Sequence, residues 1–259
     1  MAGLAAPAGL DAGVPAVPAV RIATALDCYR RNVDAVADWV HPSWIAASLG
    51  VPETLLRGWR PLLAGASAGA AARCSRALVR ALGVTPPGFS GLSQGGFTRA
   101  AATGASQPNA CLLDVVPAPL TLRIWRMRAL LLRRGEVRRL IDRHAQRRLS
   151  DWTGLDVDVL MSGPDTGSAN DAARLAAVAM PPLASLDADA LATEGMLLVL
   201  RDLKGADGLP FPLSRLALPR NVDVPAWLNA LPAQHDEAGT IRLFRRLPEL
   251  LREWAWLFG

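Results

Sequence analysis

The feature that most constrains this chain is a stretch that is at once apolar and strongly basic. Between Leu120 and Leu149 the sequence has ten arginines and only two acidic residues, Glu136 and Asp142. Ten positive and two negative charges give the stretch a formal charge of +8, whereas the whole chain carries +5 and the rest of it therefore −3. A folded chain must place this charge against acidic groups or on its surface.

The stretch predicts two helices hinged at Arg133-Arg134-Gly135. In the second helix, apolar residues recur at three- and four-residue steps, which is typical of an amphipathic helix with one face in the core. These residues are Val137, Leu140, Ile141, His144, Ala145, Leu149 and Trp152, and Gly154 is expected to end the helix. We expect His144 to lie inside the core with this face. The opposite face has Arg139, Arg143 and Arg147, which are four residues apart and therefore neighbours on a helix surface.

Repulsion between such neighbours costs only about 0.2–0.5 kcal/mol per pair, so the helix tolerates it. The excess charge then meets acids elsewhere in the fold or on a partner protein, and we favour the partner. We predict that Arg139, Arg143 and Arg147 form a partner-binding site that faces an acidic protein surface.

Composition allows a substantial core, because 51% of the 259 residues are apolar. The pI of about 10.0 raises nucleic acid as a partner. The excess charge is confined to one segment that also has an apolar face, however, and a single Tyr provides no base-stacking platform. No nucleic acid is therefore expected as a partner, and a basic helical nucleic-acid-binding protein stays an alternative.

The spacing of cysteines and histidines predicts no metal or cofactor. Cys28, Cys74 and Cys111 are odd in number, far apart and remote from any histidine, so neither disulfides nor structural zinc are expected. His235 lies in a polar segment without a second ligand nearby. The string Gly163–Ser168 resembles a phosphate loop but lacks its lysine, and we interpret it as a turn before a helix capped at Ser168.

No segment has the features of a membrane span or a secretory signal. Charge-free runs such as Pro61–Ala72 fall short of the ~18 residues that a spanning helix needs. Residues 1–19 have Asp11 as their only charged side chain and lack a basic start and an unbroken apolar centre. We expect a flexible tail over 1–19 and a cytoplasmic protein.

Helix signals organise the following region, 20–83, which we predict to be an N-terminal helical region. The apolar pattern from Ile22 to Val40 predicts one helix, and Pro42 begins another that closes at Gly50. A third helix is expected between Pro52 and Gly65. A fourth is capped by Ser67, with Ala71, Cys74, Leu78 and Leu82 facing inward.

Residues 84–109 are rich in Gly, Pro, Ser and Thr and predict a loop or linker. We expect a C-terminal helical region over 110–259 that contains the arginine-rich pair. In it, Cys111–Val116 is a strand or a buried helix, and Asp187 or Asp189 begins a helix. The predicted class is mainly α, an irregular multi-helix fold with no large sheet.

Gly91-Leu92-Ser93-Gln94-Gly95 matches the G-x-S-x-G string of serine hydrolases, with Asp114 or Asp223 and then His235 as further triad residues. That string works at a strained turn between a buried strand and a helix. The prolines in Thr85–Phe89 exclude a central strand there. We predict no hydrolase activity and keep a serine hydrolase as an alternative.

His41-Pro42-Ser43-Trp44 is the most distinctive short string. A helix ending in it, followed much later by a Leu-rich run ending in Pro, a helix, a Gly and an Arg-rich helix, resembles the SctK (YscK/OrgA-like) family of type III secretion accessory proteins. The likeness is closest to the Hrp-type branch, and the matching residues are Tyr29–Trp44 and Leu112–Leu160.

The resemblance implies a non-enzymatic adaptor of the cytoplasmic sorting platform in a virulence secretion machine. The implied partners are the cytosolic domain of the inner-membrane ring protein and platform subunits, namely a C-ring-like protein and the ATPase stator. The implied location is cytoplasmic, peripheral to the inner membrane at the secretion apparatus.

Overall fold

The computed structural model describes residues 17–99, 106–162, 171–203, 209–232 and 235–259, in which helices dominate. The α-helices are α1 (Val17–Asp34), α2 (Val36–Trp39), α3 (Pro42–Leu49), α4 (Trp59–Ala64), α5 (Ala68–Ala81), α6 (Phe89–Ser93), α7 (Ala118–Leu132), α8 (Arg134–Val137), α9 (Arg143–Thr153), α10 (Val157–Met161), α11 (Asp171–Ala177), α12 (Ala188–Asp202), α13 (Ala226–Ala230), α14 (Gly239–Leu250) and α15 (Ala255–Phe258). Short 3-10 helices cover Glu53–Leu56, Ala110–Asp114, Leu183–Ser185, Ser214–Ala217 and Arg252–Trp254.

Within these described ranges the only sheet is one antiparallel pair, β1 (Phe97–Arg99) and β2 (Ser106–Pro108). Phe97 lies opposite Pro108, and Arg99 lies opposite Ser106. The predicted mainly α, irregular multi-helix class is confirmed. The predicted loop or linker over 84–109 thus contains both strands and α6. For Cys111–Val116 we considered a strand or a buried helix, and the structure has a largely buried 3-10 helix over Ala110–Asp114.

The main core is built around α7 and α12, which are buried on most of their surface. Gly195 lets α12 approach α7 so closely that a Cβ there would overlap the carbonyl group of Trp125. Trp125 packs against Phe211, with ring centroids 5.4 Å apart. Helix α14 contributes Phe244, which meets the Phe258 ring edge-on at 6.0 Å. Most of this core therefore comes from residues 110 to 259, and Ala25 of α1 and Leu92 of α6 also belong to it.

A second, smaller core lies under the N-terminal helices. Its buried residues from that region are Tyr29, Val36, Val40, Ile45 and Val79. Leu213 and Leu216 complete it, although they come from the distant 3-10 segment around Ser214–Ala217. The division into regions 20–83, 84–109 and 110–259 stays a prediction. The second core combines residues of the predicted N-terminal and C-terminal helical regions.

Several predicted helix boundaries are confirmed by their capping groups. Gly50 ends α3 with φ +66°, and Gly154 ends α9 with φ +70°. The Ser67 side chain accepts a hydrogen bond from the Ala70 amide, and the Asp187 carboxylate accepts from the Asp189 and Ala190 amides. Capping residues close to each helix end in sequence therefore determine these boundaries.

Other helix predictions need correction. The expected helix from Ile22 to Val40 breaks at Ala35, and the one expected between Pro52 and Gly65 is interrupted at Gly58, whose φ is +83°. In α5 the buried residues are Ser75 and Val79, and Cys74 is exposed, whereas Leu78 and Leu82 pack against the second core as predicted. The Ser75 hydroxyl accepts a hydrogen bond from the Ala37 amide at 3.0 Å, which turns this face of α5 toward α2.

The predicted tail falls almost wholly on residues 1–16, which lie outside the described residues, and α1 begins at Val17. The string Gly163–Ser168 also lies outside them. Among the helices of the described residues, none combines the length and the apolar character that a membrane span requires.

Candidate functional site

The arginine-rich segment forms three helices, where two were predicted. The chain leaves helical geometry between α8 and α9, and Asp142 caps α9 by accepting hydrogen bonds from the His144 and Ala145 amides at 2.9 and 3.2 Å. Asp competes well for such a capping position because its carboxylate satisfies amides that a helix start leaves unpaired. The predicted single apolar face is therefore wrong at two positions, because Ile141 is 93% exposed and His144 is exposed rather than in the core. Val137 and Leu149 are buried in the main core, as predicted.

Arg128 of α7 is fully buried inside a polar cluster. Its guanidinium meets the Asp202 carboxylate at 2.7 Å and the Asp236 carboxylate at 2.6 Å, and its Nε donates to the Thr240 hydroxyl at 3.0 Å. Burial alone would lower the pKa of Arg128, but the charges of Asp236 and Asp202 raise it above its ordinary value. The cluster ties α7 to the end of α12 and the start of α14.

Arg133, just after α7, is also fully buried. Its Nε and one terminal nitrogen each donate to a Glu194 carboxylate oxygen at 2.7 Å, the bidentate geometry that suits guanidinium and carboxylate. A further hydrogen bond of 2.7 Å reaches the Pro181 carbonyl oxygen. Burial raises the pKa of Glu194, and the hydrogen bond and charge of Arg133 oppose that rise.

These contacts correct our preference for a partner protein as the destination of the whole excess charge. Arg128 and Arg133 meet acids of their own chain, and Arg126 reaches Asp189 at 3.4 Å. No sequence pattern links them, because Asp202 and Glu194 lie 74 and 61 residues away from their arginines. Arginine is rarely buried without a partner. Burial of these arginines could therefore be predicted only by knowing which acids the fold brings next to them.

The three arginines predicted to bind a partner are all exposed. Arg143 and Arg147 lie one turn apart on α9, whereas Arg139 precedes the break and does not belong to the same helix. Arg143 and Arg147 line a shallow cleft together with Asp156 and Asp158. Within the described residues, none of the three arginines makes an ion pair.

The His41-Pro42-Ser43-Trp44 string joins the N-terminal helices to the C-terminal part of the chain. Pro42 is the first residue of α3, and His41 caps it by accepting from the Ser43 amide. Trp44 Nε1 donates to the Leu218 carbonyl oxygen at 2.8 Å, and the Ser43 hydroxyl accepts from the Arg220 amide at 2.9 Å. The string is thus explained by its structural contacts.

Asp114, considered above as a hydrolase acid, has a different environment. Its carboxylate is buried and accepts hydrogen bonds from the Leu213 amide at 3.0 Å and from the Ser214 amide and hydroxyl, each at 2.7 Å. Burial raises the pKa of Asp114 to about 6, while the hydrogen bonds from Ser214 and Leu213 oppose the rise. These bonds fix the segment that completes the second core.

Ser93 is the last residue of α6, and residues 84–88 before that helix form no strand. The Gly-rich string has a packing role here: Asn109 donates from its side-chain amide to the carbonyl oxygens of Gly91 and Gly95. Gly96 donates to the Phe258 carbonyl oxygen at 3.1 Å, in a space that a Cβ would fill. The segment thus packs against the C-terminal residues.

The cysteines are free thiols, and burial raises the pKa of Cys111 to about 12, so this thiol stays protonated at neutral pH. Cys111 lies 2.8 Å from the Asn109 side-chain oxygen. Over the described ranges, no three His, Cys, Asp or Glu side chains are grouped so that they could hold a metal ion.

Comparison with known proteins gives one informative result. The profile of the HrpB4 family, described as a bacterial type III secretion protein, matches residues 17–253. No curated protein and no solved structure matches the chain. The matched residues include the second core, most of the main core, the arginine-rich segment and the His41–Trp44 string. The match is consistent with the resemblance to the Hrp-type branch of the SctK family. The chain therefore belongs to the HrpB4 family of bacterial type III secretion proteins.

Proposed function

We propose that this chain is a non-enzymatic adaptor of the type III secretion sorting platform, which links the inner-membrane ring to the platform and its ATPase. It acts in the cytoplasm, peripheral to the inner membrane at the secretion apparatus. Its partners are the cytosolic domain of the ring protein, a C-ring-like platform subunit and the ATPase stator.

The observation that supports this proposal best is the division of the arginine-rich segment between core and surface. The guanidinium groups of Arg128 and Arg133 are satisfied by acids inside the fold. Those of Arg139, Arg143 and Arg147 face solvent without an ion pair in the described residues. Exposed charge of one sign steers a protein toward an oppositely charged partner and selects against others, which is what an adaptor requires.

The polar groups that a hydrolase would use support a non-enzymatic role. The Asp114 carboxylate already accepts three hydrogen bonds from Leu213 and Ser214. Ser93 ends a short helix and does not follow a strand. A nucleophile elbow needs that strand to hold its serine in a strained turn.

The test uses cells that express the whole secretion apparatus, with the C-ring-like subunit fused to a fluorescent protein. Deleting this chain should disperse the membrane-associated foci of that subunit and abolish secretion, and an intact copy of the chain should restore both. An affinity-tagged chain should co-purify with the cytosolic domain of the ring protein. Normal foci in the deletion strain would contradict the adaptor role. Tight duplex-DNA binding that weakens steeply with salt would favour the nucleic-acid alternative.

A further inference from the structure

Ile141 is the most exposed of the large apolar side chains in the described part of the chain, at 93%, and it lies between Arg139 and Arg143. The segment around it is nevertheless held in place. Gln146 donates from its side-chain amide to the Leu140 carbonyl oxygen at 2.9 Å, and Asp142 caps α9. Ile141 is therefore presented to solvent between two residues that are tied to α9, which limits the conformational entropy that a contact there would lose.

The charges around Ile141 are unfavourable in the isolated chain. Arg143 is the first residue of α9, where the helix dipole disfavours a positive charge, and Arg147 is its like-charged neighbour one turn later. The Asp142 carboxylate accepts hydrogen bonds from the His144 and Ala145 amides, which lower the pKa of Asp142. Asp156 and Asp158 face the same cleft, but neither forms an ion pair with these arginines. An approaching carboxylate would relieve this repulsion.

The arginines and Ile141 together determine which kind of ligand this surface can bind. A second copy of the chain would place arginines against arginines across a two-fold axis, so self-association is disfavoured. One isoleucine offers little apolar area to a lipid surface, which recruits long amphipathic helices. A phosphate backbone would use the arginines but would gain nothing from Ile141. An acidic protein segment with an apolar side chain among its carboxylates would contact both the arginines and Ile141.

We propose that Arg139, Ile141, Arg143 and Arg147 form a docking surface for an acidic segment of a sorting-platform protein, with an apolar side chain of that segment packed on Ile141. The proposal rests on the adaptor function and names the surface through which it operates. The arginines supply attraction and orientation, and Ile141 supplies the desolvated contact that dominates the affinity.

The experiment measures calorimetric binding of the purified full chain to two probes, the cytosolic domain of the ring protein and the C-ring-like subunit. Ile141→Ser should weaken binding to the C-ring-like platform subunit by roughly tenfold or more, as truncation of an interface anchor does. Its control is Val159→Ser, because Val159 is 51% exposed on a different helix.

The triple variant R139Q/R143Q/R147Q should weaken binding and flatten its salt dependence. Its control, R57Q/R73Q/R80Q, makes the same change in net charge at exposed positions elsewhere.

The outcomes separate this surface from the function on which it rests. If the wild-type chain binds a probe and Ile141→Ser and R139Q/R143Q/R147Q bind as tightly as their controls, the docking surface is refuted while the adaptor function stands. If neither probe binds the wild-type chain, the adaptor function is contradicted and the docking surface with it. If R139Q/R143Q/R147Q weakens binding and Ile141→Ser does not, the contact is electrostatic alone and the proposed apolar anchor is overturned.

Discussion

At the scale of single residues, Asp114 offers the clearest test of how a buried charge shapes this fold. Its folded-state pKa is raised to about 6, mainly by burial, whereas an Asp in an unfolded chain titrates near ~3.9. The folded state therefore binds the proton more tightly. This contribution to stability is fully present below about pH 4 and is lost as the pH rises through about 6.

Asp114→Asn removes this titration. We expect the difference in free energy of unfolding between wild type and variant to shrink by on the order of 3 kcal/mol between pH 4 and pH 7, because each pKa unit corresponds to about 1.4 kcal/mol. Urea denaturation at several pH values measures this difference, in which the titration of all other groups cancels. A difference that stays constant with pH would show that burial does not perturb Asp114.

The buried arginines show which residue-scale facts the sequence can supply. The count of charges predicted that the excess arginines meet acids elsewhere in the fold or on a partner, and acids of the fold are what Arg128 and Arg133 meet. It could not identify them, because Glu194 and Asp236 are brought to Arg133 and Arg128 only by the packing of α7 against α12 and α14. Periodicity describes one element at a time and says nothing about such pairings.

At the scale of elements, the contact between α7 and α12 depends on Gly195. A Cβ at that position would overlap the Trp125 carbonyl group, so the two helices would have to separate. Alanine normally favours a helix over glycine by about 1 kcal/mol. Here we expect overpacking to win, with Gly195→Ala destabilising the protein by about 1–3 kcal/mol.

Thermal unfolding of Gly195→Ala checks this, with Gly69→Ala in α5 as its control. A Cβ at Gly69 meets only the Arg73 side chain, at an ordinary 3.6 Å, so that variant should be neutral or slightly stabilised. If both variants gained stability, the close approach of α7 and α12 would be contradicted.

The break before α9 shows why boundaries inside a periodic segment are hard to predict. Three- and four-residue spacing runs unbroken from Val137 to Trp152, and it outweighed the one local signal for a break. That signal is Asp142, a strong N-cap residue in the middle of the pattern. At Gly50, Ser67 and Gly154 the capping residues stand at the ends of the apolar pattern, and there the predictions were confirmed.

At the scale of the whole molecule, arginines both connect elements inside the core and supply positive charge on the surface. Arg128 and Arg133 lie inside the main core, where each joins elements that are distant in sequence. Arg139, Arg143 and Arg147 lie on the surface. The sequence predicted this exposed set but also assigned it to one continuous helix, which the structure does not have.

The two sets should respond oppositely to substitution. We expect the triple variant R139E/R143E/R147E to unfold at nearly the wild-type temperature, because exposed substitutions usually change stability by no more than about 0.5 kcal/mol each. Arg133→Met should instead destabilise the protein by about 3–5 kcal/mol, because it leaves the buried Glu194 carboxylate without its partner. Thermal unfolding of both variants gives the comparison, and co-purification with the secretion platform shows whether the triple variant still assembles.

A triple variant that unfolds at a clearly lower temperature would mean that these arginines stabilise the fold itself, which contradicts the docking surface. One that is stable and still assembles would leave them as an ordinary solvated face, and only a stable variant that fails to assemble fits a binding role.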